Sequence, residues 1–114
     1  MVSLENYPKD ENGAFILPKD ELYQSVSTLK DSGYELLLDI TGIDYLNHSP
    51  KPLKRFNVVY LLRHLDKEHV CLKVALDEDE SIVSLTTLYE AANWAEREVW
   101  DQYGIVFDGH PNLK

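Results

Sequence analysis

Aromatic and charged side chains that could make directed contacts are concentrated near the carboxyl end of the sequence. Both tryptophans, Trp94 and Trp100, stand there beside the triplet Glu96, Arg97 and Glu98. A tryptophan ring contributes a large contact area and a guanidinium contributes directed hydrogen bonds, and protein-docking surfaces are enriched in both. The alternative is a core helix with one solvated face, which is the commoner use of aromatic residues at helical spacing. Physical reasoning from these residues alone favours the core helix.

The same stretch also contains side chains that could do acid–base or metal chemistry. These are Asp101, Asp108 and His110, with Glu96 and Glu98 as further carboxylates. None of them has the spacing of a known ligand set or nucleophile–base pair. Residues two apart on a helix point in different directions, so Glu96 and Glu98 do not form an acid–base pair. We expect no independent catalytic or metal site, and we expect His110 to order its turn.

The composition bears on cofactors and on phosphate-bearing partners. Cys71 is the single cysteine of the 114 residues, so an internal disulfide and the cysteine set of an iron–sulfur cluster are both excluded. The sequence has no glycine-rich loop for a nucleotide phosphate. Its formal charge of -9 repels nucleic acid, and no apolar run approaches the ~20 residues of a membrane span. We therefore expect one compact domain over 1–114, with no cofactor and no nucleic-acid partner.

Hydrophobic periodicity predicts an α+β fold with two layers, a small mixed or antiparallel sheet packed against two main helices. Residues 14–17 can form an edge strand. A first helix begins at Lys19, presents Leu22, Val26 and Leu29 on one face, and ends at Gly33. A strand follows over 35–45, with Gly42 as a possible bulge.

Two further strands and a second helix complete the prediction. The strand at 56–63 is apolar on both faces and should be central, the strand at 70–77 has one drier face, and the acidic run at 77–80 should be a solvated turn. Thr87 and Glu90 fit a capping box that would begin the second helix. Arg97 could reach Asp101 within that helix, and Gly104 should end it. The second helix buries a stripe made of Leu88, Ala92, Ala95, Val99 and Tyr103.

The stretch ANWAEREVWDQYGIVFDGHPNL resembles the signature of the C-type subunit, also called the 30 kDa subunit, of respiratory complex I, the proton-pumping NADH:quinone oxidoreductase. The segments DITGIDY, RFNVVYLL and SLTTLYEAANW also resemble the family in order and spacing, so the resemblance extends from about Leu36 to Lys114. The residues that carry it at the carboxyl end are Ala92, Asn93, Trp94, Glu96, Arg97, Glu98, Asp101, Gly104, Ile105, Phe107, Gly109, His110, Pro111 and Leu113.

This resemblance implies a cofactor-free accessory subunit that packs against the hydrogenase-like D-type subunit, beside other subunits of the peripheral arm. The parent complex uses NADH, FMN, iron–sulfur clusters and quinone, and its peripheral arm lies on the cytoplasmic side of the membrane. The resemblance implies membrane association only through that complex. The alternatives are a subunit of a related membrane-bound hydrogenase complex and a stand-alone protein-binding adaptor.

The resemblance also makes the aromatic stretch a candidate docking surface, formed or supported by the second helix and the turn after it.

Two positions depart from the family. Gln102 stands where the family usually has an apolar residue, and the sequence ends at Lys114, where the family usually has Arg and continues through a basic, proline-containing tail. We therefore expect the family's carboxyl-terminal tail to be missing here. The candidate interface or motif residues are Trp94, Glu96, Arg97, Glu98, Trp100, Asp101, Gly104, Phe107, Gly109, His110 and Pro111.

Overall fold

A four-stranded mixed sheet with two helices over one face organises the protein, in a computed structural model that describes residues 4–113. The strands lie in the order β1 (Phe15–Ile16), β4 (Val70–Leu76), β3 (Phe56–Arg63) and β2 (Leu36–Asp44), with β1 parallel to β4 and the other neighbours antiparallel. The predicted two-layer α+β fold is therefore confirmed. The elements are β1 Phe15–Ile16, α1 Leu22–Asp31, β2 Leu36–Asp44, β3 Phe56–Arg63, β4 Val70–Leu76, β5 Ile82–Val83, α2 Ala92–Tyr103 and β6 Phe107–Asp108.

Strand β3 lies between two neighbours, as its apolar composition on both faces predicted. Val58, Tyr60 and Leu62 are fully buried, while Val59 and Leu61 on the opposite face are half-buried. Because side chains alternate along a strand, the first set forms the core layer under the helices. Neighbouring strands add Leu72, Val74 and Leu76 from β4 and Leu37 and Ile40 from β2 to the same core.

The first helix is shorter at its start than predicted, because Lys19–Glu21 form a 3-10 turn and α1 begins at Leu22. Leu22 and Val26 are fully buried, as their spacing required. Gly33 follows the helix with φ 105°, a left-handed conformation that favours glycine. The predicted face and ending of α1 are therefore both correct.

Glycine in β2 has a different role from the predicted one. The register irregularity falls between Leu37 and Asp39, so the bulge is not at Gly42. Gly42 instead lies under the Tyr103 ring of α2, because a Cβ there would be only 2.6 Å from that ring. The absence of a side chain lets α2 pack directly on β2.

The start of α2 also differs from the prediction. The helix begins at Ala92, and its N-cap residue Ala91 makes no side-chain capping bond. The predicted capping box is therefore wrong. The Thr87 hydroxyl instead bonds the Tyr23 hydroxyl, with 2.8 Å between the oxygens, and so makes a tertiary contact. The end was predicted correctly, because Gly104 has φ 74° and donates its N–H to the Trp100 carbonyl.

A small second sheet, which the sequence patterns did not reveal, joins β5 and β6 in parallel. Each of these strands has only two residues, too few for a periodic signal. The pairing joins a segment that precedes α2 to the segment that follows it. Among residues 4–113, neither helix has the length and apolarity to cross a bilayer.

Candidate functional site

The inner face of α2 is fixed by burial. Ala92, Glu96 and Val99 are buried on this helix, and Tyr103 packs on Gly42 of β2. Successive members of this set are three or four residues apart, which is one helical turn, so they form a single stripe that faces the sheet. Three members of the stripe are apolar or aromatic, and the fourth is a carboxylate.

Glu96 is 0% exposed, and two donors from the segment before the helix satisfy its carboxylate. The Ser84 hydroxyl donates to Oε1 at 2.6 Å, and the Leu85 N–H donates to Oε2 at 2.7 Å. Ser84 Oγ in turn accepts the N–H of Thr86 at 3.1 Å. A buried carboxylate is tolerated when such donors surround it. Glu96 therefore anchors α2 to residues 84–86.

Burial raises the pKa of Glu96 above its ordinary value, and the bonds from Leu85 and Ser84 and the nearby His110 offset part of that rise. Tyr60 lies fully buried in the same region, and its hydroxyl has no hydrogen-bond partner in the part of the chain that the structure describes. Burial, followed by the charge of Glu96, raises the pKa of Tyr60 well above its ordinary value. The carboxylate is therefore held in an environment of low polarity.

His110 orders the turn after β6, as the sequence predicted. Its Nδ1 accepts the N–H of Asn112 at 2.9 Å, so the ring proton of the neutral imidazole lies on Nε2. Nε2 is 2.8 Å from the carbonyl oxygen of Asn93 and donates to it. Arg97 makes a second, longer bond of 3.4 Å to the Asn112 carbonyl. The turn is thereby tied to the first half of α2.

The outer face of α2, defined here as Trp94, Arg97, Glu98 and Asp101, is exposed. Trp94 is 68% exposed, and with Trp100 these four side chains line a shallow surface groove of about 320 Å³. The predicted pair of Arg97 with Asp101 is not formed. No ion pair between Leu4 and Leu113 includes any of the three charged groups of this face.

A larger surface cavity, about 580 Å³, lies elsewhere, between residues 45–55 and the acidic turn at 77–79. One ion pair, Arg55 with Glu78, joins two of its charged lining residues. Arg55 bonds Asp44 through Nε and Nη2 at 2.9 and 2.8 Å, and bonds Glu78 through Nη1 at 2.6 Å. No group of histidine, cysteine and acidic side chains among residues 4–113 is arranged to hold a metal ion.

Comparison with known proteins places this geometry in a family. The family profile described as "Respiratory-chain NADH dehydrogenase, 30 Kd subunit" matches residues 15–114. The chain belongs to this family. The matched residues include both helices, all six strands and every residue of the α2 outer face.

Individual relatives agree with this assignment. The C-type subunit of NADH-quinone oxidoreductase from Caulobacter sp. (strain K31) is 44% identical over 101 residues, which are 85% of this chain and 45% of the relative. The combined C/D-type subunit of the same enzyme from Nitrosospira multiformis is 46% identical over 86 residues, which are 71% of this chain and 14% of the relative. The chain thus spans less than half the length of these relatives.

Two solved structures share the fold. The trypsin-resistant fragment (1-134) of Nqo5 superposes with a TM-score of 0.89 at 35% identity, covering 96% of this chain and 91% of the fragment. A chain of the membrane-bound sulfane sulfur reductase, an archaeal respiratory membrane complex, superposes with a TM-score of 0.76 at 25% identity. That match covers 90% of this chain and 59% of the other.

The family signature is divided by the structure into exposed and internal residues. Arg97 and Glu98 are exposed, as are Trp94, Asp101, Gly104, Gly109 and Pro111, whereas Glu96 and Phe107 are buried and can only support a docking surface. Gly109 has φ 87°, a left-handed conformation that favours glycine, so it shapes the turn after β6. Trp100 and His110 are half-buried.

Sequence reasoning missed the partners of the buried carboxylate, Ser84 and Leu85, and the turn acceptor Asn112. One signal was available for the first two. Glu96 lies four residues after Ala92 and three before Val99, so the apolar stripe itself placed the carboxylate inside. A carboxylate in that position needs donors, and the polar run SLTT just before the helix could supply them.

Proposed function

We propose that this chain is a cofactor-free accessory subunit of NADH:quinone oxidoreductase that packs against the hydrogenase-like D-type subunit in the peripheral arm. In this role it supports electron transfer from NADH to quinone, coupled to proton translocation, without holding FMN, an iron–sulfur cluster or quinone itself. Its association with the membrane, on the cytoplasmic side, is through the complex. The partner is called the hydrogenase-like subunit below.

One observation carries this proposal. The relative from Nitrosospira multiformis is named for the C and D polypeptides together, and the matched residues are only 14% of it. A protein that combines both polypeptides in one chain holds the two at short range, which favours direct packing between them. We extend that proximity to the case in which the two are separate chains.

The α2 outer face is the surface that we assign to this packing. Trp94 is 68% exposed, and Arg97 forms no ion pair among residues 4–113. Tryptophan and arginine are the residue types that most often dominate the binding energy of protein interfaces. The inner face, with Glu96, holds the helix in a fixed position under them. A preorganised surface loses less conformational entropy on binding.

A related assembly is a second candidate. The superposition on a chain of an archaeal respiratory membrane complex, with a TM-score of 0.76, supports a role as the corresponding subunit of a hydrogenase-related complex. The higher identity to NADH-quinone oxidoreductase subunits, 44% against 25%, favours the first candidate.

Co-purification with the hydrogenase-like subunit of the same organism tests the proposal. Trp94→Ala should weaken binding at least about tenfold, because it removes the largest exposed ring of the docking face. Leu65→Ala is the matched control, since Leu65 is 72% exposed in the β3–β4 turn, and it should change affinity by no more than about twofold. Both variants should keep the melting temperature of the unmodified chain within a few degrees.

Two results would contradict the assignment. If neither this chain nor a version extended through a basic, proline-containing tail binds the hydrogenase-like subunit, the subunit role is wrong. If Leu65→Ala weakens binding more than Trp94→Ala does, the partner binds at the β3–β4 turn instead of the α2 outer face.

A further inference from the structure

We propose that the α2 outer face binds a cationic protein surface that presents arginine to Trp94 and a second basic side chain to Glu98 and Asp101. This inference rests on the proposed function, since it names the chemistry that the hydrogenase-like subunit should present at the contact. It concerns the partner's side chains, which the family assignment does not specify.

Charge is the first argument. Glu98 and Asp101 are three residues apart on the helix, so their carboxylates share one exposed face. Neither forms an ion pair between Leu4 and Leu113, whereas Asp10, Asp44, Glu78 and Glu80 all do. Arg97, the only basic residue on α2, reaches instead toward the Asn112 carbonyl. The two carboxylates are therefore free to accept bonds from an external cation.

The indole rings are the second argument, and they favour arginine over lysine. Trp94 is 68% exposed, and it lines the same groove as Trp100, the two carboxylates and Arg97, whose guanidinium is directed toward the Asn112 carbonyl. A guanidinium stacks on an indole face through cation–π attraction and can also bond a carboxylate in a fork. Both types of acceptor lie in this one groove, which matches the chemistry of an arginine side chain.

Other occupants fit less well. A phosphate-rich surface, whether nucleic acid or an anionic membrane, would meet two carboxylates and a chain of net charge -9. A second copy of this chain would bring the same excess of negative charge to the contact. A cationic partner avoids both penalties, and the same field would steer it toward the face during encounter.

Charge reversal tests the inference. Glu98→Lys with Asp101→Lys reverses the two acids of the face. The matched control is Asp66→Lys with Glu68→Lys in the exposed β3–β4 turn, which changes the net charge equally and disturbs no ion pair among residues 4–113. Affinity for the purified hydrogenase-like subunit is measured by calorimetry or interferometry at low and at physiological ionic strength. Thermal melting checks that both double variants stay folded.

The reversal on α2 should weaken binding roughly tenfold or more at low salt, and the loss should shrink as salt screens the repulsion. The control pair should change affinity by no more than about threefold, the effect of overall charge alone. Replacing the facing arginine of the hydrogenase-like subunit by glutamate should restore part of the affinity of the α2 reversal and weaken binding of the unmodified chain.

The failure of this inference is distinguishable from failure of the proposed function. Equal affinities for the α2 reversal and the control pair, with normal binding by the unmodified chain, would overturn the cationic surface while packing against the hydrogenase-like subunit stands. Tighter binding by the α2 reversal would show an acidic partner surface and overturn the inference equally. Absence of any binding by the unmodified chain would overturn both.

Discussion

Two arginines show how differently this protein uses the same side chain. Arg55 donates to two carboxylates through three nitrogens at 2.6–2.9 Å and lies over the ring of Phe56. Arg97 makes a single bond of 3.4 Å to a backbone carbonyl. Most N–H donors of Arg55 are therefore used within the described chain, whereas most donors of Arg97 remain available.

The surroundings of these arginines differ in the same way. Near Arg55, the acidic turn is bound by the lysines, since Glu80 pairs with Lys54 at 2.7 Å and with Lys19 at 3.4 Å. Around Arg97 lie an exposed tryptophan and two carboxylates without ion pairs in the described chain. The larger cavity, of about 580 Å³, lies beside the Arg55 cluster, and the groove of about 320 Å³ lies beside Arg97. Unused bonding capacity next to an exposed ring, rather than cavity size or charge number, marks the docking candidate.

The largest expected effect comes from removing the buried anchor beneath the docking face. Glu96→Ala should lower the free energy of unfolding by about 2–4 kcal/mol, because it leaves the Ser84 and Leu85 donors buried without an acceptor. Chemical denaturation followed by tryptophan fluorescence measures the change. In this variant α2, which carries the outer-face side chains, would lose its bonds to residues 84–86.

Glu96→Gln is the matched control for the anchor. The amide oxygen can accept the Leu85 N–H and the amide group can donate to Ser84, so this variant should stay within about 1 kcal/mol of the unmodified chain. Equal destabilisation by the alanine and glutamine variants would mean that the charge of Glu96, rather than its hydrogen bonds, holds residues 84–86.

A direct comparison of the two arginines should give opposite results. Arg97→Ala should weaken binding to the hydrogenase-like subunit roughly tenfold, because its guanidinium would donate to partner acceptors that lie beside the basic side chains facing Glu98 and Asp101. It should leave the melting temperature nearly unchanged, because the bonds of Arg97 in the free chain are few. Arg55→Ala should lower the melting temperature slightly, by less than Glu96→Ala does, and leave binding unchanged. Unfolding of Arg97→Ala would assign that residue to the internal scaffold and remove the contrast between the two regions.

The smallest effect is the acid dependence of stability, and its sign should differ between the regions. The guanidinium of Arg55 lowers the pKa of Asp44 to about 2, and the ammonium of Lys54 lowers that of Glu80 to about 2. Both groups favour the folded state above their ordinary pKa values and lose that contribution as pH falls through about 2. The raised pKa of Glu96 acts in the opposite direction, because its contribution is complete below its ordinary pKa and is lost as pH rises through the folded value.

Melting temperatures between about pH 2 and 8 test this difference. The double variant Asp44→Asn with Glu80→Gln should be less stable than the unmodified chain near neutral pH and should approach it at the acid end of the range. Glu96→Gln should change the slope only above the ordinary carboxyl pKa. Parallel curves for the unmodified chain and the double variant across the acid range would show that these ion pairs contribute nothing to folding.

Much of the fold could be predicted because its signals are local. The apolar alternation on both faces of β3 required two neighbouring strands, and the spacing of Leu22 and Val26 required a buried helix face. Gly104 ended α2 because a left-handed residue there carries no Cβ penalty. The capping box predicted from Thr87 and Glu90 did not form. Such a box stabilises a helix start only slightly, and Thr87 bonds Tyr23, a distant residue that local sequence patterns do not reveal.

The sequence by itself determined the α+β class, the central strand, both helix endings and the stretch that carries the family signature, because periodicity and glycine conformations act over a few residues. The spacing of Ala92 and Val99 already indicated the inner face for Glu96, and only the tertiary structure decided how completely that carboxylate is covered and which donors bond it. Glu96 and Glu98 are two positions apart and chemically alike, yet one is buried against Ser84 and Leu85 and the other is exposed. Burial depends on which distant segments cover a helix, and here the pairing of β5 with β6 and the absence of a side chain at Gly42 set that cover.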